Sequence, residues 1–322
     1  MFGAIVWPRR NLCPFMRIIN GISNFTPSGS PIALTVGFFD GVHIGHRALI
    51  EKLNSIAKEI SGKSVVITFD SHPFRVVCPD KLPPMIMTLT QRLKLLKECK
   101  VDQIIVQPFD KDFSEISAEK FLDEIMLKKV KAKAIVGGYD CRFGKGGKGG
   151  LDMLQKYSGQ KNYHFYSVPP TKIKETIVSS TEIRKAIRRG DLETAAEYLG
   201  SPWKIRAHVI SGHGIGRELG YPTANLDVEY FVLPVPGVYS ARVFSESRTY
   251  RAAMYIGSRP TFKTPDHKLS CEVFLIDFSS DIYDKWIEVQ PVKYLREDEK
   301  FDSISKLRHQ ISRDIKQIKN IM

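Results

Sequence analysis

Ile32-Ala-Leu-Thr-Val36 runs through Gly37-Phe-Phe-Asp40-Gly41-Val-His43-Ile-Gly45-His46 into Arg47 to Ile60. The first piece is a short apolar run, as a buried strand requires. In the last piece Leu49, Ile50, Leu53, Ile56, Ala57 and Ile60 fall on one helical face. A strand that passes through a glycine-punctuated turn into a helix opens a βαβ unit, and the same grammar continues downstream. Ser64 to Phe69, Gln103 to Gln107, Ala134 to Val136 and Tyr163 to Val168 read as strands. Gln91 to Lys97 and Ala118 to Lys129 read as helices, the second with Phe121, Leu122, Ile125 and Met126 on its apolar side. This alternation predicts an α/β, Rossmann-like domain with a parallel sheet covered on both faces. Ligands of such sheets sit beyond the carboxyl ends of the strands, where the strand order reverses.

After about residue 202 the grammar changes. Lys204 to Ile210, Gly237 to Phe244, Arg251 to Ile256, Ser270 to Phe278 and Trp286 to Val292 are β-rich runs separated by Gly/Pro turns, the pattern of an antiparallel barrel or sandwich. Ser303 to Ile318 then reads as one helix with a stripe of Ile304, Leu307, Ile311, Ile315 and Ile318. Between the halves, Asp191 to Leu199 has the form of a short capped helix, with Pro202 ending the connection.

Composition narrows the class. The chain has 322 residues, enough for two ordinary domains, and its 43% hydrophobic and 26% charged content is that of a globular protein. No apolar run is long enough for a membrane span. The five cysteines stand singly, without a CxxC pair, which argues against zinc or a disulfide framework and for a reducing cytoplasm. A net charge of +13 suits polyanionic small molecules such as ATP. The positive charges are spread along the chain apart from 128–133 and 184–189, so no nucleic-acid partner is expected. In the first fifteen residues the apolar piece precedes Arg9 and Arg10, the reverse of a secretory signal, and Met16 is the expected functional start after an extension over 1–16.

The chemistry lies in two constellations. In the first, glycines 37, 41 and 45 allow close backbone approach to a phosphate. The helix starting near Gly45 offers free amides, and His43 and His46 add donors that can follow charge as it develops on phosphate oxygens. That combination suits attack on the α-phosphorus of ATP. Ser179-Ser180-Thr181-Glu182-Ile183-Arg184 starts a second helix, with Ser180 or Thr181 as cap and Arg184 about one turn in, where they could hold the β- and γ-phosphates. The glycine-rich loop over 144–150, with Lys145 and Lys148, could be a phosphate-facing flap or a solvent loop. The His-Ile-Gly-His spelling also occurs in class I aminoacyl-tRNA synthetases, but no lysine loop of their kind follows.

In the second constellation, a glycine-rich loop with Gly212 and Gly216 leads to Pro222-Thr223-Ala224-Asn225. Thr223 and Asn225 alternate in an extended segment and so face one way, offering neutral oxygens suited to a phosphate-bridged Mg²⁺. Glu272 falls in the strand run Ser270 to Phe278 and shares its face with Phe274 and Ile276. It is either solvent-facing or a general base; periodicity does not choose, but the cost of burying an idle carboxylate favours the base.

Gly37 to His46, Phe69-Asp-Ser-His-Pro73, Gly138-Tyr-Asp-Cys-Arg-Phe-Gly144 and Ser179 to Arg184 together resemble the FAD synthetase module of bacterial bifunctional riboflavin kinase/FMN adenylyltransferases, across roughly residues 17 to 200. The resemblance implies that His43 and His46 contact ATP phosphates within the turn of Gly37, Phe39, Asp40 and Gly45. By the same resemblance Ser180, Thr181 and Arg184 hold the triphosphate, and His72, Asp140 and Arg142 line the flavin side. Phe38 and Cys141 depart from that family's usual Asn and Phe. The Thr223/Asn225 and Glu272 motifs, with 237–239, 256–262 and 295–301, resemble the riboflavin kinase domain, a Greek-key β-barrel with a terminal helix. This second resemblance implies that Thr223 and Asn225 hold Mg-ATP with Gly212 and Gly216, that Glu272 takes a proton from the ribityl hydroxyl, and that Arg296 contacts flavin or phosphate. Tyr255 stands where Asn is common and is left out of the site. The expected domains are 17–186 for adenylyl transfer, 187–202 as a linker helix and 203–322 for the kinase. The expected substrates are riboflavin, FMN and ATP with Mg²⁺, the products FMN and FAD, and the expected state a monomer or weak homo-oligomer away from membranes.

Overall fold

A computed structural model describes residues 17–211, 216, 219–245, 248–258 and 269–321. Strand β2 (Ile32–Val36) lies inside a sheet with β1 (Arg17–Asn20), β3 (Lys63–Phe69), β4 (Gln103–Gln107), β5 (Ala132–Gly138) and β6 (His164–Val168). The order is β1-β4-β3-β2-β5-β6 and every pairing is parallel. Ile32, Ala33, Leu34 and Thr35 are all buried, without alternation, because both faces of a parallel sheet are covered. The order reverses at β2, which has β3 on one side and β5 on the other, so the turn after Val36 leaves from the topological switch point.

The chain divides into two compact units. One takes Met1–Phe39, His46–Leu82 and Leu93–Pro170; the other takes Asp40–Gly45, Pro83–Arg92 and Thr171–Met322. In the first, Leu34, Ile67, Ile105 and Ile135 of the sheet pack with Phe121, Leu122, Met126 and Leu154. The helix expected over Ala118 to Lys129 is α-helical only at Ala118–Lys120 and continues as a π-helix, Phe121–Lys129. The Val130 amide bonds to the Ile125 carbonyl, and this i+5 spacing turns Phe121, Leu122 and Met126 inward together while Ile125 stays half-buried. Strand β1 carries little periodic signal, since only Ile19 of its four residues is buried.

The second unit is built on a closed antiparallel barrel of β9 (Ile205–Ile210), β10 (Ala224–Leu226), β11 (Gly237–Ser245), β12 (Arg248–Ser258), β13 (Leu269–Leu275) and β14 (Trp286–Arg296). Its cyclic order is β10-β13-β12-β11-β14-β9. Alternate residues fill the interior: Ala207 and Val209, Tyr239 and Ala241, Met254 and Ile256, Cys271 and Val273, Ile287 and Val289. Alanines beside larger side chains let so small a barrel close without a void.

Two helices, Ser180–Arg188 and Leu192–Leu199, contribute Ile183, Ala186, Ile187, Ala195, Tyr198 and Leu199 to the same core. The segment anticipated as a linker is therefore packed. Asp191 caps the second helix by accepting from the Thr194 amide at 3.1 Å, and Gly200 ends it in the left-handed region. Trp203 joins them through its indole N–H, which donates to the Ile86 carbonyl at 3.1 Å. In the terminal helix, Ile304–Ile321, the inward residues are Asp314 and Ile318, whereas Ile304 is 67% exposed. The stripe thus begins a turn later than periodicity suggests.

A fragment Ser201–Met322 exposes the barrel face that Ala195, Tyr198 and Leu199 cover. Its thermal midpoint should fall well below that of Thr171–Met322; equal midpoints by differential scanning calorimetry would show that the two helices add nothing to the barrel.

Candidate active sites

The turn leaving β2 is tightly folded. Phe39 and Val42, neither a glycine, have φ of 59° and 40°, and Gly41 between them has 91°. Left-handed residues in such density store strain, a mark of functional loops. A Cβ on Gly37 would crowd the Phe39 ring at 3.0 Å, so glycine lets the ring fold back over the backbone without displacement. The helix that follows, Ile44–Glu59, starts one residue after His43 and carries His46 in its first turn.

Within the first unit, the His46 ring meets Phe39 edge to face at 5.1 Å. Phe38 is held by its carbonyl, which accepts from the Thr68 hydroxyl at 3.1 Å, and its ring meets His72 at 4.8 Å. His72 Nδ1 accepts from the Phe74 amide at 3.1 Å, and its ring also meets Phe74 at 5.2 Å. His72 follows β3; Asp140 and Arg142 are exposed just beyond β5. The turn after β2, His72 and the 140–142 loop thus all leave the carboxyl edge of neighbouring strands β3, β2 and β5. The loop over 144–150 is docked: Lys145 pairs with Glu115, and the Phe143 ring lies against Gly149, where a Cβ would sit 2.5 Å away.

In the second unit, His43 is 6% exposed. Burial, aided by the Arg184 charge, holds its pKa down to about 4, so at neutral pH it is an uncharged imidazole that can donate one N–H. Its ring lies 3.2 Å from the position of a Gly45 Cβ, which explains the glycine. Asp40, assigned to the phosphate turn by sequence, is a structural anchor here. Its carboxylate accepts the Ile86 amide at 3.1 and 3.2 Å and an Arg184 Nη2 at 2.5 Å. Burial pushes Asp40 up and Arg184 down, each pulled back by the other's charge. Arg184 Nε donates to the Pro84 carbonyl at 2.7 Å. Much of the guanidinium expected on the triphosphate is therefore engaged inside the protein. The helix cap is Ser179, whose hydroxyl accepts from the Glu182 amide at 3.3 Å, and neither Ser180 nor Thr181 takes that role. Ser180 donates to the Asp40 carbonyl at 2.8 Å, and Thr181 is exposed at the helix start.

On the barrel, Asn225 of β10 lies directly opposite Glu272 of β13, which lies directly opposite Tyr255 of β12. Their neighbours Ala224, Cys271 and Met254 fill the interior, so this row faces outward. Thr223 donates its hydroxyl proton to Glu272 Oε2 at 2.9 Å, so its oxygen can still accept or coordinate. Glu272 is half-buried rather than fully buried, so its carboxylate meets solvent as well as the Thr223 hydroxyl, and burial cost alone does not mark it as a base. Gly216 packs so tightly that a Cβ would meet the Tyr221 carbonyl at 2.5 Å and the Thr223 hydroxyl at 3.1 Å. Gly212 lies outside the described residues, as do 213–215 and most of 256–262. A cleft of about 320 Å³ opens beside Thr223, walled by Pro222, Phe278, Ser279, Asp281 and Tyr283.

Arg296 donates from Nε and Nη2 to Asp314 at 2.9 to 3.1 Å and from Nη1 to the Glu297 carbonyl. These bonds tie the terminal helix to β14 and commit the guanidinium expected to contact flavin or phosphate. Tyr255, passed over in the sequence, donates to Asp298 at 2.9 Å. Only strand pairing could place it beside Glu272, since 17 positions separate them in the chain. Among the described residues no group of three or more His, Cys, Asp or Glu could hold a metal ion. A cation at Thr223 and Asn225 would therefore rely on neutral oxygens and on the phosphates of its nucleotide. No helix of the described residues is long and apolar enough to cross a membrane.

A family model described as FAD synthetase matches residues 26–182, and one described as riboflavin kinase matches 199–322. A bifunctional riboflavin kinase/FMN adenylyltransferase of Buchnera aphidicola is 34% identical over 307 residues, covering 94% of this chain and 98% of the relative. One of Escherichia coli K12 is 33% identical over 301 residues, covering 93% and 96%. A solved Streptococcus pneumoniae structure, described as a macrolide-efflux protein, is 31% identical with a TM-score of 0.80, covering 95% of this chain and 99% of that one.

The imidazole of His43, followed by NMR, should titrate near pH 4 rather than 6.5. Because the unfolded state takes the proton first, His43 lowers stability as pH falls from 6.5 towards 4, by up to ~1.4 kcal/mol per pH unit. His43→Gln should flatten that part of the stability profile; a titration midpoint at 6.5 would overturn the assignment.

Proposed function

Because the chain belongs to the family of bifunctional riboflavin kinase/FMN adenylyltransferases, we propose how its residues divide two successive reactions. The enzyme phosphorylates riboflavin with ATP to FMN and then adenylylates FMN with ATP to FAD, releasing pyrophosphate. In the kinase step the terminal ribityl oxygen attacks the γ-phosphorus, its proton passes to Glu272, and ADP leaves. Thr223 orients the carboxylate by donating to Oε2, which leaves Oε1 to receive the proton. Thr223 and Asn225 would hold Mg²⁺, which when bound neutralises charge on the phosphates. Gly212 and Gly216 would bring backbone amides to those phosphates, and the cleft beside Thr223 would take the nucleotide.

In the adenylyl step a phosphate oxygen of FMN attacks the α-phosphorus of the second ATP. That nucleophile is already an anion, so the site needs no base. It needs donors for the growing charge on the phosphorus-bound oxygens, and His43 and His46 would supply them. A neutral His43 fits this role, since it donates without having to lose a charge-paired proton. The amides around Gly37, Phe39 and Gly45, with Ser180 and Thr181, would complete the phosphate site. Asp40 and Arg184 would position it through their ion pair. His72, Asp140 and Arg142 would line the flavin side, and Arg296 would act by fixing the terminal helix.

The functional division would follow 17–186, 187–202 and 203–322, in a cytoplasmic monomer or weak homo-oligomer without nucleic-acid partners. The observation that carries the kinase assignment is Glu272, bonded to Thr223 and paired across strands with Asn225.

Glu272→Gln should abolish FMN formation, a loss of at least about 100-fold, yet leave FAD formation from supplied FMN. His46→Ala should do the converse. Product analysis by chromatography distinguishes them, and a Glu272→Gln enzyme that still makes FMN at the normal rate is not using Glu272 as base.

A further inference from the structure

Glu272 has two neighbours along the outer row, and they differ in kind. On the β10 side stand Asn225 and Thr223, small polar groups with oxygens to offer a nucleotide-bound cation. On the β12 side stands Tyr255, an aromatic ring. In-line transfer needs the phosphoryl donor and the accepting alcohol on opposite sides of the moving group. If the donor lies over β10, the alcohol must reach Glu272 from over β12. The side chain standing there is Tyr255.

Its geometry is that of a preset wall rather than a loose surface tyrosine. The ring lies along the strand over Gly257, close enough that a Cβ on that glycine would fall 2.1 Å from the phenol oxygen. The hydroxyl donates to Asp298 at 2.9 Å. Burial, together with that bond, pushes the phenol's pKa up, so it stays protonated and keeps donating. The ring thus has room to lie along the strand because residue 257 carries no side chain, and its tip is held by the carboxylate beyond β14. Asp298 in turn follows Arg296, which the ion pair with Asp314 holds to the terminal helix.

We propose that Tyr255, anchored by Asp298, is a positioning residue of the kinase site that aligns the hydroxyl-bearing chain of riboflavin against Glu272. This rests on Glu272 being the base. The Tyr255 ring excludes water from one side of the carboxylate and limits where the flexible polyol can lie. It takes no proton and touches no phosphate. Its loss should therefore weaken use of the alcohol substrate while leaving the nucleotide side as it was.

The test uses the full chain, with riboflavin and Mg-ATP varied separately. Tyr255→Ala should raise the KM for riboflavin about tenfold or more and leave the KM for ATP within about twofold. Tyr255→Phe, which keeps the ring and loses the anchor, should show a smaller rise, and Asp298→Asn should resemble it. An unchanged riboflavin KM in Tyr255→Ala overturns the proposal, as do equal rises for both substrates, which would mean general distortion. Should Tyr255→Ala fail to fold, Tyr255→Phe and Asp298→Asn decide: neither changing the riboflavin KM overturns it. Glu272→Gln in the same assay separates the two inferences. An inactive Glu272→Gln with a normal Tyr255→Ala removes only the role of Tyr255, whereas an active Glu272→Gln removes Glu272 as the base and with it the premise of this proposal.

Discussion

The buried ion pair between Asp40 and Arg184 holds together segments that lie far apart in the chain. Asp40 lies within the strained turn after β2, Arg184 belongs to the helix Ser180–Arg188, and both reach the 83–92 segment through Ile86 and Pro84. Removing either partner would strand a buried charge, typically at about 3–5 kcal/mol. The Arg184 of this pair also adds to the effect of burial on His43. Burial, aided by the Arg184 charge, holds the imidazole neutral at ordinary pH, so that it can act as an uncharged donor.

Two reactions of ATP are thus met by opposite electrostatic designs in one chain. An alcohol must give up a proton, and in the proposed kinase site the half-exposed Glu272 carboxylate, bonded by Thr223, would receive it. A phosphate monoester has no such proton to lose, and in the proposed adenylyl site the turn after β2 would present backbone and neutral imidazole instead. Placement follows the architecture. A parallel sheet offers its switch point, where turns from neighbouring strands converge. A small closed barrel has its interior filled by side chains and can offer only its outer face.

Much of this was legible in the chain. The periodic runs in the first half located β2 and β4 to the residue, because buried parallel strands are continuous apolar runs. The barrel strands were legible too, though β10, three residues around a polar Asn225, showed only as an extended segment. The π-helix at 121–129 was not, since an apolar face does not distinguish i+4 from i+5 bonding. Nor was the first strand, where a single buried isoleucine gives no period. Among site residues, Gly45 and Gly216 were found as glycines, but the reasons for them lie in contacts with His43 and Thr223.

Residue types and spacing determined the two-part order, the imidazole turn, the Thr223/Asn225 pair and the acidic group that follows, because these depend on local periodicity and on chemistry each residue carries by itself. Tertiary structure decided which charges are spent internally. Asp40, Arg184 and Arg296 look like ligands in one dimension and are engaged by partners that only folding brings near. It also decided that Glu272 faces outward and that Tyr255 stands beside it. Strand pairing sets such neighbours through backbone register, and no interval along the chain encodes that register.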